Sequence, residues 1–278
     1  MNRRDFVRIA AGLAVTGAAS AQRPRPRVAL VLGGGGCRGH GHVGVIRALE
    51  KHGLKPDLVV GSSAGSLVGA LYAAGLSADQ LEQLGSRMTP NMLRDWIFPK
   101  LGIFGGDGIR RFVNDRVKRR TIESLPLPFA AVATDLRTGE MVILDRGDLG
   151  LAVQASSSAP GLLEPVRIGK RVLVDGNLAA PVPVEAARRL GARAVVAVDV
   201  TFPPEQADLG DPFDALYQGF SILTRKLALD ERSRADLMIE PKLPEHHDMS
   251  QATLKSLVDA GERAALEAMP RIRALFGS

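Results

Sequence analysis

Two adjacent serines, Ser62 and Ser63, stand where the β-branched run Leu58-Val59-Val60 gives way to the small-residue stretch Ala64-Gly65-Ser66-Leu67-Val68-Gly69-Ala70-Leu71. Gly61-Ser62-Ser63-Ala64-Gly65 fits G-x-S-x-G centred on Ser63, the pattern of a nucleophile elbow. There a serine occupies a strained strand-to-helix turn, and the residues two before and two after must be small because their backbones nearly touch. Centring on Ser62 would put Val60 and Ala64 at those places, so Ser63 is the expected nucleophile. The competing reading is a glycine-serine turn that only caps a helix; the strand before Gly61 and the helix after Ala64 supply the context an elbow needs.

Upstream, Gly33-Gly34-Gly35-Gly36-Cys37-Arg38-Gly39 forms a second turn after a strand. Gly34, Gly36 and Gly39 also match the dinucleotide fingerprint G-x-G-x-x-G. That fold wants an acidic residue at the end of the second strand, whereas here the strand ends Val59-Val60-Gly61 and Asp57 comes at its start. A glycine turn at a helix N-terminus can instead aim bare amides at developing negative charge, as an oxyanion hole does. Five histidines, His40, His42, His52, His246 and His247, compete as the base. The order Ser63, Asp175, then His246 or His247 would suit a Ser-Asp-His triad, but those two histidines lie in a polar, proline-broken segment. His40 and His42 start a helix, where the charged form is disfavoured, and read as packing or capping residues. Asp175 ends the apolar run Arg171-Val172-Leu173-Val174, and strand carboxyl ends are where α/β proteins gather catalytic groups.

The elements that must hold these groups follow from hydrophobic patterning. Arg27-Val28-Ala29-Leu30-Val31-Leu32 reads as a buried strand and residues 40–53 as a helix stopped by Gly53; residues 56–61 and 63–75 repeat the unit. Tandem β-turn-α units predict adjacent parallel strands with both glycine turns at one carboxyl edge, facing each other. Ser77 with Gln80 predicts a capping box. Residues 89–120 read as a cover over the site. Residues 128–147 and 167–176 read as hairpins turning at Arg137-Thr138-Gly139 and Gly169-Lys170. A helix and a strand follow at residues 183–200, and the tail from Asp211 is mostly helical, with Met238-Ile239 as a last strand. Ser156 to Ser158 read as a helix end near the site, and Asp135 as a turn residue. The expectation is an α/β fold with a mainly parallel central sheet and helices on both faces, as one domain over residues 25–278.

Glycine turn, G-x-S-x-G and Asp175-Gly176-Asn177, in that order, together resemble the patatin-like phospholipase family, whose third motif is D-G-G or D-G-A. The similarity extends through Ala133-Thr134-Asp135 and Ala155-Ser156-Ser157-Ser158-Ala159-Pro160. Asn177 departs from it. The resemblance implies a three-layer α/β/α hydrolase with a Ser63-Asp175 dyad and an oxyanion hole from Gly34, Gly35, Gly36 and Cys37. Arg38, Gly39, Gly61, Gly65 and Gly176 would support the motifs; Arg38 would orient the turn through backbone carbonyls or meet a lipid phosphate, the first being favoured. It implies cleavage of lipid acyl esters (phospholipase A, lysophospholipase or esterase type) with no metal or organic cofactor. A Ser-His-Asp esterase or thioesterase and a silent lipid-binding protein on the same fold are the alternatives.

The chain has 278 residues, 45% of them hydrophobic and 4% aromatic, enough to bury a core and in a balance that favours helices packed on a sheet. Its net charge of +6 comes without a dense Lys/Arg block or nucleic-acid signature, so nucleic acid is not expected; the family resemblance implies a lipid or acyl-ester substrate with transient membrane-surface contact. Cys37 is the lone cysteine, which excludes an intramolecular disulfide. Residues 1–21 carry Arg3-Arg4, a mild apolar run and Ala19-Ser20-Ala21, the parts of a twin-arginine-type export signal, which points to the periplasm.

Overall fold

Strand β1 (Val28–Leu32) is buried along its whole length, and its alternation sets the layers of the molecule: Leu30 and Leu32 enter one apolar cluster, Ala29 and Val31 another. The computed structural model describes residues 27–87, 101–206, 210, 212–244 and 250–277. The expected export signal, the first part of the expected cover and His246 and His247 lie outside the described residues.

After β1 come α1 (His40–Lys51), β2 (Leu58–Ser62), α2 (Ala64–Ala73) and α3 (Ala78–Ser86). The expected capping box is present, with Ser77 N–H donating to Gln80 Oε1 and Gln80 N–H to Ser77 Oγ. Strand β3 (Gly102–Phe104) and α4 (Asp107–Arg116) precede β4 (Phe129–Asp135) and β5 (Met141–Leu144), which pair as the expected hairpin. Next are α5 (Leu149–Ser156), β6 (Gly161–Leu163), β7 (Val166–Ile168), β8 (Arg171–Asp175), α6 (Val184–Arg189) and β9 (Ala194–Val198). The remainder is α7 (Pro212–Arg232), β10 (Leu237–Ile239), α8 (Gln251–Glu267) and α9 (Met269–Gly277).

The main sheet runs β10-β9-β1-β2-β4-β8-β7, with β5 also on β4; β3 and β6 pair separately. From β10 to β4 neighbours are parallel, as βα units require, and β5, β8 and β7 add antiparallel pairs. Side chains of α1, α2 and α8 cover one face, where Val45, Leu71 and Leu257 are buried, while Val184 and Ala187 of α6 and Ala228 of α7 cover the other. The mixed, mostly parallel sheet between helical layers matches the α/β expectation.

Helices α1 and α8 approach through glycine. A Cβ on Gly44 would overlap Val258 O, and one on Gly261 would overlap Gly41 O. Larger residues there would push α8 off the helix that begins just beyond the glycine turn.

Candidate active site

The site is built on one edge of β4. Ala131 pairs with Leu144 of β5 and with Gly61 of β2, and Ala133 pairs with Val142 of β5 and with Asp175 of β8. Since β5 holds one edge, β2 and β8 share the other. They run in opposite directions, so their carboxyl ends meet head to head, Ser62 opposite Val132 and Asp175 opposite Ala133. Ser63 Oγ donates a 2.8 Å hydrogen bond to Asp175 Oδ2, across 112 positions of sequence.

Ser63 has φ 49° and ψ −120°, a strained backbone for a residue with a side chain. Neighbouring backbone imposes it. A Cβ on Gly61 would overlap the Gly65 carbonyl, and one on Gly65 would overlap Leu32 O at the end of β1. Both glycines are therefore steric requirements, as the elbow pattern anticipates. Ser63 N–H donates to Ser156 Oγ at 2.9 Å, and Ser156 Oγ donates to Val132 O at 2.6 Å, so α5 clamps the elbow.

Asp175 is fixed on its other side. Its Oδ1 accepts from Asn177 N–H at 2.9 Å, and Thr134 Oγ1 donates to its main-chain oxygen at 2.8 Å. Burial raises the carboxyl pKa to about 6, against the opposing effects of the Asn177 amide and the Ser63 hydroxyl. Such a carboxylate is ionised at neutral pH and more basic than an exposed one, hence better able to draw a proton from the serine it touches. Gly176 lies against Val132 O and Ser62 Oγ with no room for a Cβ.

The glycine turn faces the elbow, and a Cβ on Gly39 would stand 2.8 Å from the Ala64 Cβ. Gly36 has φ 57°, where glycine is favoured. No acceptor among the described residues takes the N–H of Gly35, Gly36 or Cys37. Gly34 corrects its expected place among the oxyanion donors, because its N–H is held by Pro181 O at 2.8 Å. Its importance is spatial: a Cβ there would overlap Asn177 Oδ1. Asn177, the departure from D-G-G or D-G-A, fills that gap and accepts from Ser62 Oγ at 3.2 Å. Arg38 braces the turn, its Nε donating to Val200 O at 3.1 Å and its guanidinium lying over the Phe202 ring. His42 is fully buried and its pKa falls to about 4, so the neutral ring donates from Nε2 to Gly33 O at 2.7 Å. His40 contacts Cys37 O through Nδ1, and Asp135 Oδ1 accepts from Arg137 N–H in its turn.

Ser63, Asp175 and the residues from Gly34 to Cys37 line one cavity of about 460 Å³. Leu67, Ile109, Leu162, Leu163, Phe202 and Phe220 give it apolar walls. Ile109 belongs to the described part of the expected cover. Ser156 was legible only as part of a helix end near the site; its clamp on Ser63 and the Asn177 contact with Ser62 were not, because each joins residues far apart in sequence.

Comparison with known proteins shows the family. A family model described as patatin-like phospholipase matches residues 30–188, more than half of the chain. The chain belongs to the patatin-like phospholipase family. An uncharacterized NTE family protein of Mycobacterium tuberculosis is 37% identical over 68% of this chain and 52% of its own length. Human patatin-like phospholipase domain-containing protein 6 is 36% identical over 72% of this chain and 15% of its own length. The patatin-like chain thus spans about half of the mycobacterial relative and a small part of the human one. The crystal structure of VipD from Legionella pneumophila superposes with a TM-score of 0.59 at 16% identity, covering 89% of this chain and 67% of that one, a likeness of fold.

Proposed function

We propose that this chain is a serine hydrolase that cleaves acyl esters of lipids through a Ser63-Asp175 dyad. The observation that carries the reading is the direct 2.8 Å contact between Ser63 Oγ and Asp175 Oδ2 in a buried elbow. Ser63 Oγ attacks the ester carbonyl as its proton passes to Asp175. The carbonyl oxygen gains negative charge facing the Gly35, Gly36 and Cys37 amides, each such donor being worth ~2.7–4 kcal/mol in a transition state. Collapse returns the proton to the leaving alcohol and leaves an acyl-serine. Water then attacks the acyl carbon, giving its proton to Asp175, and the acid departs as Ser63 recovers its proton. An imidazole from His246 or His247 has no place between two atoms already in hydrogen-bond contact, which disfavours the Ser-His-Asp alternative. Apolar walls around the pair suit an acyl chain.

A fluorophosphonate probe and a panel of phospholipids, lysophospholipids and short-chain esters test the reading together. The probe should map to Ser63, and Ser63→Ala should abolish labelling and turnover while Ser62→Ala retains both. A folded parent that neither labels nor cleaves any ester points to the silent lipid-binding alternative. Export belongs to the same proposal, resting on Arg3-Arg4, the apolar run and Ala19-Ser20-Ala21. Undiminished protein outside the cytoplasm after Arg3→Lys with Arg4→Lys would remove the twin-arginine route.

A further inference from the structure

Helix α7 meets the body through the buried Ala228 and through ion pairs and hydrogen bonds, and it leaves several large apolar side chains in solvent, where an ordinary surface helix places polar ones. Its polar inward contacts are specific. Arg225 Nη1 lies 2.7 Å from Asp199 Oδ2, Arg232 Nη1 lies 2.6 Å from Glu240 Oε2, and Gln218 Nε2 donates to Pro204 O at 2.7 Å. Glu185 N–H donates to Glu231 Oε2 at 3.2 Å. Outward, Leu216, Phe220, Leu223 and Leu227 recur at spacings of four, three and four, which aligns them in one stripe. Leu216 is 60% exposed and Leu223 59%, with Leu227 also exposed. Three leucines held in water on a helix anchored by salt bridges call for an apolar partner.

The position of the stripe identifies that partner. Phe220 of the stripe and its neighbours Tyr217 and Thr224 line the cavity that contains Ser63, and exposed Leu162 lines it from another element. Apolar side chains of α7 therefore reach from solvent to the cavity that holds the nucleophile, with the hydroxyls of Tyr217, Ser221 and Thr224 among them. An acyl chain drawn from a bilayer can follow them without crossing water, whereas a protein seated there would close the mouth. The helix has 21 residues but carries too much charge to cross a membrane, and no helix among the described residues is long and apolar enough to do so. It can lie in the interface plane. The net charge of +6 complements an anionic leaflet.

We infer that the outer face of α7 is a lipid-surface docking element, seating Leu216, Leu223 and Leu227 in the headgroup region so that the active-site mouth opens onto the bilayer. This inference rests on the lipid-ester reading of the cavity. Its test uses the full chain and a variant combining Leu216→Ser, Leu223→Ser and Leu227→Ser, none of which lines the cavity. Both are floated with vesicles of phosphatidylcholine, alone and with added phosphatidylglycerol, and assayed on vesicle phospholipid and on a water-soluble short-chain ester. The parent should float, more with phosphatidylglycerol. The variant should lose flotation and about tenfold or more of its vesicle hydrolysis, the factor that burying even one leucine supplies, while keeping soluble-ester turnover, which also shows that it folds. A variant that floats like the parent, or a parent that floats with neither vesicle, overturns the docking. So does light scattering that shows the substitutions splitting a dimer with flotation unchanged, since a second copy would then own the face. A parent that floats through these leucines yet cleaves neither substrate keeps the docking and defeats the hydrolase reading.

Discussion

The elbow and helix α7 border the same cavity and are built by opposite rules. At Ser63 the side chain and amide are buried and paired, the hydroxyl with Asp175 and the amide with Ser156, and Asp175 pairs in turn with Asn177. Along α7 charged groups pair with the body while Leu216, Leu223 and Leu227 are left in water. The first region gives a fixed geometry to a reacting atom, which tolerates no repacking. The second presents area, which tolerates small changes but needs a non-aqueous neighbour. On the proposed reading, chemistry and access to substrate fall to separate elements of one fold.

That separation makes the largest prediction. Ser63→Ala or Asp175→Asn should lower kcat/KM by about 10⁴-fold equally on vesicle phospholipid and on a soluble ester, whereas α7 variants should separate the two substrates. Steady-state assays on both substrates decide it; a Ser63→Ala enzyme impaired only on vesicles would erase the distinction.

A smaller effect is expected from the clamp on the elbow. Ser156→Ala leaves the buried Ser63 N–H without an acceptor, a loss of about 1–3 kcal/mol in stability. If the elbow shifts, kcat falls on both substrates with KM little changed. Denaturant unfolding and kinetics on one preparation check it, and full stability would show that water or another group replaces the hydroxyl.

The raised pKa of Asp175 gives two linked outcomes. Activity should rise as pH increases through about 6, because the base must be ionised. Stability runs the other way. The carboxyl is raised in the folded chain relative to its ordinary value near 3.9, so its stabilising contribution is complete below that ordinary value and is lost as pH rises through about 6. Asp175→Asn should therefore be more stable than the parent at neutral pH, by up to about 3 kcal/mol, with the difference vanishing below about pH 4. Melting curves across this range test the sign.

The smallest predicted effect isolates strain. Ser63→Ala and Ser63→Gly both lack the hydroxyl, but only glycine relaxes at φ 49°, so the glycine variant should be the more stable by about 1 kcal/mol. Equal stabilities would mean that the turn is not strained.

The sequence made the tandem βα units legible because their signals are local: buried runs, glycine stops and the Ser77-Gln80 cap. Gly61 and Gly65 were legible for the same reason, each excluded from carrying a side chain by backbone a few residues or one strand away. Ser63 and Asp175 could be brought together only through their motif order, since no periodicity states that β8 doubles back onto the edge that β2 already uses. Gly34 was misjudged as a donor because its partner, Pro181, lies on a distant turn. The stripe on α7 was hidden differently. Leu216, Leu223 and Leu227 have the spacing of a core face, and sequence alone does not say which side of a helix the body occupies.

The head-to-head meeting of β2 and β8 makes β4 a ruler. Ser62 is indexed to Val132 and Asp175 to Ala133, so the working distance is measured along a few residues of one strand while 112 positions of chain pass between the two groups. Surface turns within that interval, such as Arg137–Gly139, can lengthen without moving either group. A single residue inserted between Val132 and Ala133 would rotate the register and turn one partner to the opposite face of the sheet. In a lineage built on this ruler, length variation belongs in the turns and a fixed count belongs in β4.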